Sequence, residues 1–450
     1  MSVATIIYLG VSKTLANWGV EDAVFTHRAG GDDTLTFSVV EALGAAKTFA
    51  QLETIELFQP NGRRVFRGVV MKARRRASGD GEIRRFYACV SPSYYLRKTF
   101  VHQEWRFLIT GSIDIEEIST ALLGRQRARN EIVSAVQDAI DAGAPITLET
   151  DHLPPDDAAD RNPEDRQRAL TCNDAIAKVL GWWPHMGWRW YYDGISGEDV
   201  EMQCFSCLRA SQAATYGLEA NHFDARTVSA EAVEEFDADP RYDLLEGSVK
   251  VRSITRTEVE IEGDPYTVRE ISEQVATASP SNDAFGAFEM DLELRPARFD
   301  GSAYTDGEAA VAGLATRLGA AYFHLWHDLA FTKMGTACDY SIVPGVLWSI
   351  DDADSEYAAA QAVCQEVIHD IQHGTTTVRC GPPDQLGLRD PLRLLNRLRN
   401  VPTRGDASQQ DYGFEPPGEE DDAGLQITIR YCDGGTEHEA VIPAFSDVIL

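Results

Sequence analysis

Apolar and polar residues alternate along Asp33–Val40 (DTLTFSVV), with Leu35, Phe37 and Val39 on one side and Thr34, Thr36 and Ser38 on the other. A period of two predicts a half-buried β-strand. Asp22–Ala29 (DAVFTHRA) reads the same way. Thr54–Gln59 and Arg63–Arg74 are two β-rich runs joined through Pro60, Asn61 and Gly62, which suit a tight turn, so together they predict a hairpin. Ile83–Ser91 follows as another strand. Short strands at this spacing suggest a small barrel or sandwich.

From Ile113 the period lengthens. Ile115, Ile118 and Leu122, then Ile132, Val136 and Ile140, have helical spacing, and Gly143 supplies a stop. His152–Ala169 is polar and proline-bearing, hence a loop. A short helix is predicted from Thr171 or Asn173, followed by an aromatic strand and by the strand VEMQCFSCLR, Val200–Arg209. Alternation then returns over Ser248–Gly263 and Phe288–Ala297. Asp306–Phe323 is helical, Phe323–Phe331 alternates, and Val343–Ile350 is an apolar strand. Ser355–Gly374 (SEYAAAQAVCQEVIHDIQHG) is predicted as a helix, with Val363, Val367 and Ile371 on one stripe and Gly374 closing it. Thr375–Gly387 is a strand entering a turn, Val401–Gly424 an acidic, apolar-poor linker, and Leu425–Pro443 a last hairpin. The two β regions each carry alternating strands, a helix and a strand-turn, which suggests a relation between them.

Length and charge narrow the picture. A chain of 450 residues exceeds one core and predicts two or three domains. No apolar run is long enough to span a membrane, and the N-terminus lacks the features of a signal peptide. Eight scattered cysteines are expected to be reduced thiols in a protein made in a cytoplasm. The formal charge of −30 argues against stable nucleic-acid binding, which needs Lys and Arg on phosphates. Against that background Asn61–Arg76 gathers seven cations and no acid: Arg63, Arg64, Arg67, Lys72, Arg74, Arg75 and Arg76.

Candidate chemistry is sparse. His369 and His373 at i and i+4 on a helix would share a metal, with Asp370 beside the first, yet the zinc-peptidase pattern uses Glu there and a further ligand is missing. His324 and His327 lie three apart in an alternating run and so face opposite ways. Cys204 and Cys207 form a CxxC without a second pair, in a β-like run rather than at a helix start. Trp182, Trp183, Trp188 and Trp190, with Arg189 among them, suit core packing or an interface better than a base- or sugar-stacking platform, because no basic groove accompanies them. No catalytic, cofactor-binding or metal residue is assigned.

Val20–Ala73, and within it Asp33, Leu35–Phe37, Ile55–Phe58 and the VFRGVV run Val65–Val70, resembles the opening barrel of the baseplate hub (tail hub) proteins of bacteriophage tails and related injection machines. Ser91–Trp105 resembles the segment that leaves that barrel, Asn173–Gly194 the helix and strand of an inserted domain, and Ile342–Ile350 with Ile371–Arg399 a second barrel and its exit. The resemblance covers roughly residues 1 to 400; the last fifty have no counterpart, and fused spike or lysozyme modules are lacking.

The resemblance implies an α+β chain with two tube-like β-barrel domains, at 1–105 and 221–390, around an inserted helical and mixed domain at 106–220, with an exit segment, linker and hairpin at 391–450. It implies a non-enzymatic homotrimer in the virion tail tip, whose paired barrels form a pseudo-six-fold ring. Its partners would be the tail tube or distal tail protein, the tape measure protein and a spike or central fibre, with DNA only in transit, no membrane insertion and no cofactor. On that view the seven cations form a subunit interface in a head-to-tail ring, and surplus carboxylates line a DNA-repelling lumen. Reversing Arg63, Arg64 and Arg67 would then abolish assembly and leave the monomer folded. Three alternatives stand beside it: a metal-dependent hydrolase at His369/His373, a carbohydrate-binding tail component at Trp182–Trp190, and a cationic strand end that merely blunts an exposed edge.

Overall fold

The computed structural model describes residues 4–41, 48–77, 83–101, 128–155, 170–192, 198–245, 248–261, 264–277, 289–294, 307–351, 360–383, 386, 426–433 and 436–443. The N-terminal part is built from strands β1 (Thr5–Tyr8), β2 (Val11–Thr14), β3 (Val20–Arg28), β4 (Thr34–Glu41), β5 (Thr54–Phe58), β6 (Arg64–Ala77) and β7 (Ile83–Val90). The alternation along β4 is realised as read: Leu35, Phe37 and Val39 are buried, though Ser38 is buried with them. The expected hairpin is β5–β6, and Gly62 has φ +86° in its turn, where a side chain would be strained.

The middle part contains α1 (Ser93–Lys98), α2 (Ala128–Asp141), β8 (Ile146–Leu148), α3 (Cys172–Leu180), β9 (Met186–Tyr191), β10 (Val200–Ser206) and α4 (Ala210–Tyr216). Helix α2 buries Ala128, Ile132, Ala135, Val136 and Ala139, a stripe at three- and four-residue spacing. The Thr171 side chain caps α3 by accepting from the Asp174 amide. The helices α1 and α4 had no counterpart in the sequence reading. Strands β8, β10 and β9 form their own sheet, against which α2 and α3 bury a continuous core with Trp182, Trp183, Trp188 and Trp190.

The C-terminal part comprises β11 (Arg226–Ser229), β12 (Glu235–Arg241), β13 (Ser248–Ile261), β14 (Asp264–Thr277), β15 (Glu289–Leu294), α5 (Gly307–Tyr322), β16 (Trp326–Met334), β17 (Leu347–Asp351), β18 (Gln361–Asp370) and β19 (Thr375–Gly381). The terminal hairpin is β20 (Gln426–Asp433) with β21 (Thr436–Pro443). The expected helix over Ile113–Arg127, the polar loop at 156–169 and the acidic linker at 401–424 lie outside the described residues.

The fold is mostly β, and its main sheet is curled. Two tube-like barrels were expected; among the described residues the strands of both β regions belong to one 13-stranded sheet, ordered β12-β16-β19-β18-β3-β4-β7-β6-β5-β1-β2 with β17 and β11 branching from β18. The junction is the antiparallel pair β3·β18, running from Arg28↔Glu366 to Val24↔Asp370. Strands β13, β14 and β15 form a separate three-stranded sheet.

One element departs from its predicted type. The stretch expected to be helical through Gly374 is strand β18 from Gln361 to Asp370. A bulge between Cys364 and Glu366 inserts an extra residue, so burial reads iBBBiBBiBi instead of strict alternation. Val363, Val367 and Ile371 lie four apart, a spacing that a strand period of two satisfies as well as a helix does, and the bulge turns Val363 and Val367 to opposite faces, one into each of two separate buried clusters. The β-branched Val363, Val367 and Ile368 suit the sheet, which pairs β18 with β17, β19 and β3.

Candidate assembly surface

The cationic strand β6 is divided by a bulge at Met71, where its register against β7 shifts between Val70 and Lys72. Before the bulge β6 pairs with β5 from Arg64 to Val69 and reaches β7 only at Val69 and Val70; beyond Val70 it pairs only with β7 among the described residues. Gly68 sits where a Cβ would come within 2.2 Å of the Val90 carbonyl oxygen, so a side chain there would push the two strands apart.

Ahead of the bulge the arginines face inward. Arg64 is 1% exposed. Its Nη1 meets Glu56 Oε1 at 3.1 Å and the Glu198 carbonyl at 2.7 Å, Nε donates to the Tyr192 carbonyl at 3.2 Å, and Nη2 to that of Asp199 at 3.1 Å. Arg67 donates to the Glu198 carbonyl and approaches Asp199 at 3.7 Å and Glu56 at 3.9 Å. A guanidinium presents five donors in a plane, which suits it to gather carbonyls at a joint. These two residues brace the middle part against the N-terminal sheet. The expectation that reversing Arg63, Arg64 and Arg67 leaves a folded monomer is therefore corrected at Arg64: a carboxylate there would lie buried beside Glu56 among carbonyl oxygens.

Past the bulge the same strand carries exposed cations. Lys72, Arg74, Arg75 and Arg76 are exposed, and none has an ion pair among the described residues. Arg63, in the turn, is exposed as well. Across the ladder Arg75 stands opposite Arg85 and Arg76 opposite Arg84. The β7 members of these pairs are answered within the chain. Arg84 meets Glu21 at 2.8 Å and Asp22 at 3.3 Å, and Arg85 meets the buried Glu41 at 2.7 Å. Burial alone would raise the Glu41 pKa, but hydrogen bonds from Arg85, Thr48 and Tyr87 outweigh it and hold the carboxyl below its usual range. Burial, together with Glu41, pushes Tyr87 up to about 12.

The other sequence-flagged residues are dispersed. His369 lies on β18, buried, with Nδ1 3.2 Å from Thr376 Oγ1 and its ring stacked on Phe25. His373 stands in the following turn, exposed, with Nδ1 2.8 Å from Asp370 Oδ2. No helix presents the pair, and among the described residues no group of His, Cys, Asp and Glu has metal-binding geometry. His324 precedes β16 and His327 lies within it. Cys204 and Cys207 are buried free thiols, and burial drives their pKa values upward. Trp182, Trp183, Trp188 and Trp190 are all buried, which removes the stacking platform. Arg189 among them is buried too, bonded to Gln203 and to the Pro344 carbonyl at 2.8 Å.

Sequence reasoning missed a buried polar node where the three parts meet. Asp33 is fully buried; its Oδ2 accepts from the Tyr192 hydroxyl at 2.6 Å and its Oδ1 from the Arg28 amide at 2.8 Å. His27 Nε2 lies 3.1 Å from the Trp190 carbonyl and 3.4 Å from Asp33 Oδ2. Burial raises the Asp33 carboxyl well above its usual range and lowers His27 well below its own. Nearby, Gly30 N donates to the Trp188 carbonyl at 2.7 Å and Ala29 N to that of Gln365 at 2.8 Å. His27 and Asp33 stood in the alternating runs, but nothing in the sequence placed Tyr192 beside them.

No protein-family model and no curated protein matches the chain. Among solved structures it is similar to the 43 kDa tail protein of prophage MuSo2 from Shewanella oneidensis, at 11% identity over 84% of this chain and 97% of that one, with a TM-score of 0.49. Prophage tail protein gp18 from Listeria monocytogenes EGD-e is similar at 9% identity over 88% and 99%, TM-score 0.49. A Neisseria meningitidis MC58 tail protein is similar at 11% over 86% and 98%, TM-score 0.43. All three are tail proteins.

Proposed function

We propose that the chain is a structural subunit of a phage-type tail: a hub whose two β regions act as paired tube-like modules in a homotrimer. The observation that carries this reading is the β3·β18 ladder, which joins an N-terminal and a C-terminal set of antiparallel strands side by side in one sheet. Side-by-side modules in one polypeptide let a three-fold assembly offer a six-fold-like rim to a tail tube or distal tail protein. The other face would meet a spike or central fibre, and a tape measure protein would thread the ring. The buried ties of Arg64, Arg189 and the Asp33 node give the modules a fixed relative orientation, which a load-bearing ring needs. Surplus carboxylate from a chain of charge −30 would keep DNA in transit from adhering to a lumen.

Native mass measurement of the full chain tests this reading. A trimer, alone or on adding tail partners, is the expected result; a stable dimer would overturn it. The hydrolase alternative loses its helical histidine pair, and the carbohydrate alternative its exposed tryptophans.

A further inference from the structure

Among the described residues, two of the large sheet's unpaired edges carry opposite charge. Strand β12 pairs only with β16 among the described residues, leaving its other side open. There Phe236 is 41% exposed, and Asp237 and Asp239 are exposed without an ion pair among the described residues. Asp239 stands directly opposite Asp328 of β16, and Arg241 meets Asp328 at 3.0 Å. A cleft of about 380 Å³ beside this edge is lined by Asp237, Asp239 and Asp328 together with Arg241 and Arg379, so its charge is mixed. The second bare edge is the outer half of β6, with Lys72, Arg74, Arg75 and Arg76 exposed.

The two edges share an electrostatic fault of opposite sign. Like charges facing each other across a ladder weaken the pairing. At β12·β16 the opposed pair is Asp239 and Asp328; at β6·β7 it is Arg75 with Arg85 and Arg76 with Arg84. In each pair the inner strand's residue finds an internal counter-charge, and the outer strand's residue finds none among the described residues. What one edge lacks the other supplies, and a bare strand edge also offers main-chain groups for pairing.

We infer that the outer half of β6 of one copy docks on β12 of a second copy, with Arg74 and Arg76, two residues apart on one face, meeting Asp237 and Asp239, likewise two apart on one face. The contact joins unlike surfaces, so it is head-to-tail and closes into a ring when the rotation per copy permits. The inference rests on the trimer reading above and names the two faces that would make it.

Charge reversal on the full chain separates the possibilities. D237R/D239R and, separately, R74E/R76E are expected to weaken assembly at least tenfold by sedimentation, because each sets like charges together. The combined swap of all four restores attraction and should return the native stoichiometry, which also shows that the variants fold. Milder D237N/D239N should give an intermediate loss. A native trimer that survives D237R/D239R overturns this inference and leaves the hub reading standing. A four-residue swap that stays dissociated while its circular dichroism is native also overturns it. A native chain that is monomeric with and without tail partners overturns both.

Discussion

Strand β6 holds two kinds of arginine a few residues apart. Arg64 lies in the joint with Glu56 and three backbone carbonyls; Arg74, Arg75 and Arg76, beyond the Met71 bulge, stand in solvent on an open edge. Local composition is much the same on both sides. The difference is whether the middle part covers the residue. A run of cations is thus not one feature: Arg64 and Arg67 are architecture and the other five are surface.

The sharpest way to break that comparison is Arg64→Met. It removes the nearer of the two guanidinium groups beside the buried Glu56 carboxylate, leaving Arg67 at 3.9 Å, and removing one partner of a buried ion pair typically costs about 3–5 kcal/mol. Urea unfolding measures it, and R64M together with Glu56→Leu should recover most of the loss; an unchanged midpoint for R64M would mean that the joint is not closed. Next in size, Tyr192→Phe removes the hydroxyl that donates to Asp33, and should cost about 1–3 kcal/mol by the same assay.

Acid should act on the covered side alone. Burial lowers His185 to about 3, and His369 and His324 to about 4. Their folded pKa values are depressed, so above roughly pH 6.5 both states are neutral and nothing is lost. As pH falls from there toward about 4 the unfolded chain takes up protons that the folded chain refuses. Each histidine then removes up to about 1.4 kcal/mol per pH unit. Asp33 opposes this, because its raised carboxyl binds a proton more readily when folded. Thermal melts from pH 7 to pH 4.5 should therefore decline, and His369→Gln should flatten the slope. A flat melting temperature would contradict the buried positions of these rings.

Smallest of all, R75E/R76E should leave monomer stability within about 0.5 kcal/mol of native, as is usual for exposed positions. A larger loss would place these residues in the same class as Arg64.

Much of the fold was legible from period and punctuation. Leu35, Phe37 and Val39 predicted a buried strand face, Pro60-Asn61-Gly62 the turn, and Ile132 and Val136 the buried stripe of α2. The segment around His369 was misread because Val363, Val367 and Ile371 lie four apart, which fits a strand as well as a helix, and because β18 is buried on both faces. The candidate surface was legible only as a charge count. Which cations are free depends on Glu56, Tyr192 and Glu198, residues far away along the chain for the last two. The node at Asp33 left no trace in the sequence, since its partners come from separate segments.

By itself the sequence determined strand, turn and helix wherever the pattern was local, together with the overall acidity and the place where cations gather, because these follow from side-chain size, branching and charge over a few neighbours. Only the tertiary structure decided that β3 and β18 weld two strand sets into one sheet, that Arg64 is buried while Arg75 is not, and that the acidic edge of β12 lies bare. Long-range pairing selects among partners that the local pattern treats as equivalent, and burial turns identical side chains into different chemistry.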